Sequence, residues 1–171
     1  MKLAFTMAAG RGETDRLVAA LADTLARRGL RTCGLVQHNG EPGDGGRCDM
    51  DVRVLPDGPR FRISQSLGRG ARGCRLDAAA LEAAAAEVAA RLDARTDILI
   101  VNKFGKHEAG GHGFRQLIAD ALGLGCPVLV GLNGLNRAAF LDFSGGLAAE
   151  LAPQERVLTN WALTAAGTVP A

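Results

Sequence analysis

The sequence predicts a three-layer α/β fold: a mostly parallel sheet with one inserted antiparallel hairpin. Three observations carry that reading. Short, wholly apolar runs at residues 98–101 (ILIV) and 127–132 (PVLVGL) read as strands buried on both faces of a parallel sheet. Amphipathic or alanine-rich helical stretches separate such runs. Residues 49–67 instead alternate apolar and polar side chains around Pro56-Asp57-Gly58-Pro59, the pattern of a hairpin with one wet face.

Taken in order, residues 2–7 are a short apolar strand and 8–14 a turn of small residues containing Gly10 and Gly12. Residues 15–28 repeat Leu17, Val18, Leu21 and Leu25 and stop at Gly29, which predicts an amphipathic helix. Residues 31–37 (RTCGLVQ) form the second strand, so the chain opens as a right-handed βαβ unit with parallel strands. A glycine- and proline-rich loop follows at 38–46, then the hairpin strands 49–55 and 61–67, an insert of about 47–67, then the arginine-bearing loop 67–73. Asp77 caps a helix running to about residue 94 with Leu81, Val88 and Leu92 on one side. Beyond the strand at 98–101, residues 114–122 form a helix whose apolar face is Leu117, Ile118, Ala121 and Leu122. The strand at 127–132 precedes a helix at 135–151, interrupted by Ser144-Gly145-Gly146, and a closing element at 157–164 around Trp161 of open type. No repeat or linker divides the chain, so residues 1–171 read as one domain.

Composition narrows the function. A formal net charge of +2 with 22% charged residues gives no nucleic-acid footprint and no membrane-surface patch. The N-terminal residues lack the apolar core and cleavage site of a signal peptide, and no run reaches membrane-spanning length. A cytoplasmic protein is expected. Cys33, Cys48, Cys74 and Cys126 contain no C-x-x-C pair, so reduced, buried thiols are expected rather than a zinc or thioredoxin-type site.

The chemistry concentrates after the strand at 98–101, where Asn102, Lys103, Lys106, His107 and Glu108 precede three glycines around His112. Ligands of open α/β sheets sit outside the carboxyl ends of strands. Lysine is scarce here: of twenty basic residues only Lys2, Lys103 and Lys106 are lysines, and two of them lie in this loop. His107, Glu108 and His112 occupy an irregular glycine-rich stretch without defined ligand spacing, so no metal site is assigned. Arg69, Arg72 and Arg75 read either as a lid over phosphates or as a solvated loop.

The first turn has part of a phosphate-binding pattern. In G-x-x-x-x-G-K-[ST], backbone amides and a helix N-terminus cradle phosphates. The corresponding window, residues 7–14, keeps Gly12 and Thr14, but Met7 replaces the first glycine and Glu13 the lysine. A carboxylate there repels phosphate and cannot supply the lysine's charge. A metal-organising strand of such a site ends in Asp, often followed by a second acid, whereas this strand ends in Asn102-Lys103.

The stretch Asn102-Lys103-Phe104-Gly105-Lys106-His107-Glu108 resembles the D-E-[IV]-G-[KP]-M-E signature of small bacterial and archaeal nucleoside-triphosphatases of the P-loop class. Gly105, Lys106 and Glu108 match, while Asn102 and Lys103 replace the two acids. Across nearly its whole length the chain also resembles an uncharacterised bacterial domain-of-unknown-function family, described as nucleotide-binding or as molybdate-transporter ATP-binding-like. The segments that carry this are 34–37 (GLVQ), 74–77 (CRLD), 97–113, 127–133, and a tail with Asp142-Phe143 and Trp161. The resemblance implies a P-loop-NTPase-like fold, a cytoplasmic location and a link to molybdenum or other metal metabolism; it supplies no established activity.

Two charge exchanges, lysine to Glu13 and acid to Lys103, fall at positions that fold brings together, and an ion pair across the old phosphate site is expected. Alternatively, Lys103 or Lys106 supplies from the opposite wall the charge that Glu13 removes, and an anion still binds with help from Arg11. The candidate binding residues are Gly10, Arg11, Gly12, Glu13, Thr14, Asn102 and Lys106, and the candidate catalytic residues Lys103 and Glu108. The ligand candidates are ATP or GTP with magnesium, or a tetrahedral oxyanion. Three functions follow: a non-hydrolysing nucleotide- or oxyanion-binding regulator, an atypical nucleoside-triphosphatase, or an interaction module with a closed pseudo-active site. A protein partner or a homo-oligomer stays open.

Overall fold

A computed structural model describes residues 2–40, 49–65 and 76–168. Strand β1 (Leu3–Thr6) leads into helix α1 (Glu13–Arg27) and strand β2 (Thr32–Asn39). The hairpin strands β3 (Met50–Val54) and β4 (Arg60–Arg62) follow, then helix α2 (Ala78–Ala89). Strand β5 (Ile98–Val101) is succeeded by the short helix α3 (Lys106–Ala109), helix α4 (Arg115–Gly123) and strand β6 (Val128–Gly131). A 3-10 turn at Gly134–Asn136, helix α5 (Arg137–Phe143), strand β7 (Ala149–Leu151) and helix α6 (Glu155–Ala166) complete the described chain.

Among the described residues the strands form one sheet in the order β4-β3-β2-β5-β6-β1-β7. From β2 to β7 every pairing is parallel, while β3 and β4 add on antiparallel beyond β2. Strand residues alternate between two cores. Leu99, Val101, Val128 and Val130 face α2, α4 and α5, whereas Ile98, Ile100 and Leu129 face α1 and α6. Both faces are therefore covered, which is why β1, β5 and β6 read as unbroken apolar runs. One close approach requires glycine: a Cβ on Gly34 (φ +116°) would overlap the Ile100 carbonyl across the β2–β5 pairing.

The expected βαβ opening, hairpin and central strand are all present. Several elements differ in extent, among them β4, which ends at Arg62 where a strand over 61–67 is expected from the alternation. Strand β2 runs on to Asn39, because its last residues continue the ladder with β3 and do not enter the loop read from His38. Helix α2 ends at Ala89, since Ala90–Ala94 supply only one further core side chain, Leu92. The helix expected over 135–151 is α5 alone; after Gly145 and Gly146, both at positive φ, residues 149–151 pair with β1 as an edge strand too short to show a period. The element left open near Trp161 is helix α6. Residues 67–73, with Arg69 and Arg72, and also Cys48, Cys74 and Arg75, lie outside the described residues. Burial pushes the Cys33 and Cys126 thiols up to about 11, so both remain protonated, inert core groups.

Candidate functional site

The site lies where the chain leaves β1, β5 and β2 at the carboxyl edge of the sheet. Gly12, at φ 72°, turns the chain into α1. Within this turn the Ala8 N–H donates to Thr14 Oγ1 at 2.9 Å, and the Gly10 N–H donates to Glu13 Oε2 at 2.9 Å. The Glu13 carboxylate lies so close to Gly10 that a Cβ there would overlap it. The turn therefore already holds an anion, and the anion is its own.

Asp15 points the other way. The inward stripe of α1 is Asp15, Val18, Ala22 and Leu25, so Asp15 faces the strand ends and is 5% exposed. Glu13 is two residues earlier, about 200° round the helix, and faces outward. Asp15 Oδ2 accepts from Asn39 Nδ2 at 2.8 Å, and Oδ1 accepts from Asn102 Nδ2 at 2.8 Å. Asn39 is steadied in turn by Gln37 at 2.7 Å. Lys103 Nζ lies 3.8 Å from Asp15 Oδ1. This corrects the expected Glu13–Lys103 pair: the helix phase hands Lys103 to Asp15, and Glu13 satisfies its own turn. Asn102 is 1% exposed, and its Oδ1 has no hydrogen-bond partner among the described residues.

Strand β6 separates β1 from β5, and Gly131 lets the pieces close over it. A Cβ at Gly131 would overlap the Asn102 carbonyl and come within 3.2 Å of Thr14 Cγ2. Lys103 is held by its neighbours: Asn102 is buried, and Phe104 is fully buried with its ring edge-on to Phe140 at 5.2 Å. The Lys103 side chain itself is 41% exposed.

The remaining predicted residues do not converge on this centre. Glu108 is buried and its Oε2 accepts the Gly105 N–H at 2.8 Å, closing the first turn of α3. Lys106 and Arg11 are exposed and make no ion pair among the described residues. The loop that carries Lys106 is anchored from α2, where Glu82 Oε1 meets His107 Nε2 at 2.5 Å and accepts the Gly113 N–H at 2.9 Å. His107, and then the Gly113 N–H, hold the Glu82 carboxyl below its ordinary range. A depressed carboxyl contributes its stability above the unfolded pKa and loses it as pH falls through the folded one. Glu82→Gln is therefore expected to speed hydrogen exchange at the Gly113 amide at neutral pH, with a global cost below about 1 kcal/mol because Glu82 is half-exposed. In the parent protein the protection factor of the Gly113 amide, taken against its intrinsic exchange rate at each pH, should fall as acid protonates Glu82.

The sequence pattern of a family described as a protein of unknown function (DUF2478) matches residues 3–161. The chain belongs to this family. A relative of this DUF2478 chain is the molybdenum import ATP-binding protein ModC 2 of Bradyrhizobium diazoefficiens, 37% identical over 149 residues. The match takes in 87% of this chain but only 17% of that relative. Among solved structures, that of a human cancer-related nucleoside triphosphatase superposes with a TM-score of 0.68 at 18% identity, over 99% of this chain and 100% of that one. The fold is thus P-loop-NTPase-like, as the resemblance implied.

A nucleotide site of this fold class implies magnesium, a cation that takes oxygen ligands in strict geometry. The residues of this DUF2478 chain do not fit it. The Asp15 carboxylate is bonded by two amides and faced by an ammonium. A cation placed on it would meet Lys103 at a cost of about 4 kcal/mol per unit charge at 4 Å and an effective dielectric of about 20. Among the described residues no group of three or more His, Cys, Asp or Glu side chains converges to hold a metal. Asp15 and Asn39 escaped the sequence reading, because an acid in the first turn of a helix reads as a solvated, dipole-favoured residue. The available signal was an asparagine at the carboxyl end of each of two strands, Asn39 as the last residue of β2 and Asn102 just after β5.

Proposed function

We propose that this chain is a non-hydrolysing binding protein for the phosphates of a nucleotide, or for a tetrahedral oxyanion such as molybdate, received on Gly10, Arg11, Gly12 and Thr14. One observation carries the reading: the turn uses the Gly10 N–H to hold a carboxylate at 2.9 Å. An incoming phosphate oxygen offers that N–H an equally charge-assisted acceptor once Glu13 swings out into solvent. Glu13 is exposed and free to do so. Arg11, exposed within the turn and without an ion pair among the described residues, adds positive charge beside it.

Turnover is left out of the proposal for a stated reason. Glu108 is spent on the Gly105 N–H, and the position after Asn102, where an acid would orient water, is Lys103. The closed-site reading loses its support as well, since the pair meant to close the site is not formed. The name of the molybdenum-import relative supports a place in oxyanion metabolism, and we place the chain in the cytoplasm beside such a system.

Calorimetric titration of the wild-type chain with ATP, GTP and molybdate tests the proposal. Saturable binding in the micromolar range is expected with at least one of them. Silence with all three, in the parent and in Glu13→Lys alike, would remove the anion reading.

A further inference from the structure

We infer that Lys103 is the site's built-in cation, standing in for the divalent metal, so that a pyrophosphate-type anion is bound without magnesium. The inference rests on the anion reading above. Its basis is the arrangement around Asp15. A buried carboxylate needs a cation, and here the cation comes from the chain: Lys103 Nζ stands 3.8 Å from Asp15 Oδ1. The lysine is tethered at its base by buried Asn102 and buried Phe104. Its side chain remains 41% exposed at the carboxyl edge of the sheet.

An ammonium has three N–H donors, and in this arrangement Asp15 is its ion-pair partner. The others are open to phosphate oxygens. On the amide that donates to Asp15, Asn102 Oδ1 is buried and has no hydrogen-bond partner among the described residues. Asp15 then acts as a positioning residue. It holds the ammonium at the strand edge, and each of its oxygens already accepts a hydrogen bond from an asparagine.

The test is calorimetric titration with pyrophosphate and with ATP, each in excess EDTA and again in excess magnesium, on wild type, Lys103→Met, and Lys103→Met combined with Asp15→Asn. The double variant removes the buried charge that Lys103→Met leaves uncompensated, so a folded protein is available if the single variant melts. Wild-type affinity is expected to agree within about twofold between EDTA and magnesium. In EDTA both variants are expected to lose at least about tenfold, as when a charge-assisted hydrogen bond is lost. Wild-type binding that appears only with magnesium, or variants that bind in EDTA as wild type does, would overturn the inference while leaving the anion site standing. No binding of pyrophosphate or ATP in either medium would overturn this inference, and the titration with GTP and molybdate above then decides whether the anion site itself stands.

Discussion

Glu13→Lys is expected to tighten ATP binding by about a hundredfold. Two effects add. The substitution withdraws the carboxylate that now occupies the Gly10 N–H, and it places an ammonium on the turn where phosphate oxygens would lie. Hydrogen bonds to charged groups are each worth about 1.5–3 kcal/mol, so about 3 kcal/mol in all, or two decades in affinity, is a modest expectation. Glu13→Gln separates the parts: it removes the charge without adding one and should gain about tenfold. Glu13 is exposed and outside both cores, so the melting temperature should hardly move in either variant. Titration with ATP at two salt concentrations checks the result, because the added charge should make binding weaken more steeply with salt. Equal affinity in all three proteins would show that the Glu13 carboxylate does not compete for the ligand's place.

Asn102→Asp, which restores the acid usual at the end of such a strand, is expected to destabilise the protein by about 3–5 kcal/mol at neutral pH. The new carboxylate would lie within hydrogen-bond distance of the Asp15 carboxylate, where the amide now donates at 2.8 Å. Two buried acids that close cannot both ionise, and the pair's upper pKa rises. A folded-state pKa raised above the unfolded one gives stability that is full below the unfolded value and is lost as pH rises through the folded one. The deficit relative to wild type should therefore grow from about pH 5 to pH 8, measured by urea denaturation. Exchanging the two residues, Asp15→Asn with Asn102→Asp, leaves one acid facing one amide and should recover part of the loss. A flat, wild-type-like profile for Asn102→Asp would show that the two side chains do not share a proton site. The prediction also explains why this strand ends in an amide: the carboxylate of the site has moved to α1, and its partner has to donate.

Much of the architecture was legible before any coordinates. The buried strands β5 and β6 announced themselves because both faces are covered, so no polar residue interrupts them. Helix α1 showed its inner stripe through Val18, Leu21 and Leu25. The hairpin showed through alternation, since one face is wet. Strand β7 did not, because three residues paired along one edge carry no readable period. The carboxyl edge of β5 and the turn at Gly10–Thr14, both singled out in the sequence, lie side by side in the fold.

Within that neighbourhood, the sequence by itself determined which residue types are present: a turn with an acid where a lysine is usual, and a strand that ends Asn-Lys. It did not determine who faces whom. Pairing Glu13 with Lys103 followed from counting exchanged charges, and the rotation of α1 decides otherwise. A helix turns about 100° per residue, so Asp15 and Glu13 lie on nearly opposite sides. The side packed on the sheet is chosen by Val18, Ala22 and Leu25, far along the helix. That burial turns Asp15 toward Asn39, Asn102 and Lys103, three residues drawn together from 24 to 88 positions away. Contacts at such separation depend on sheet order and helix phase, which are set by apolar packing over the whole layer and not by the polar residues that make the site.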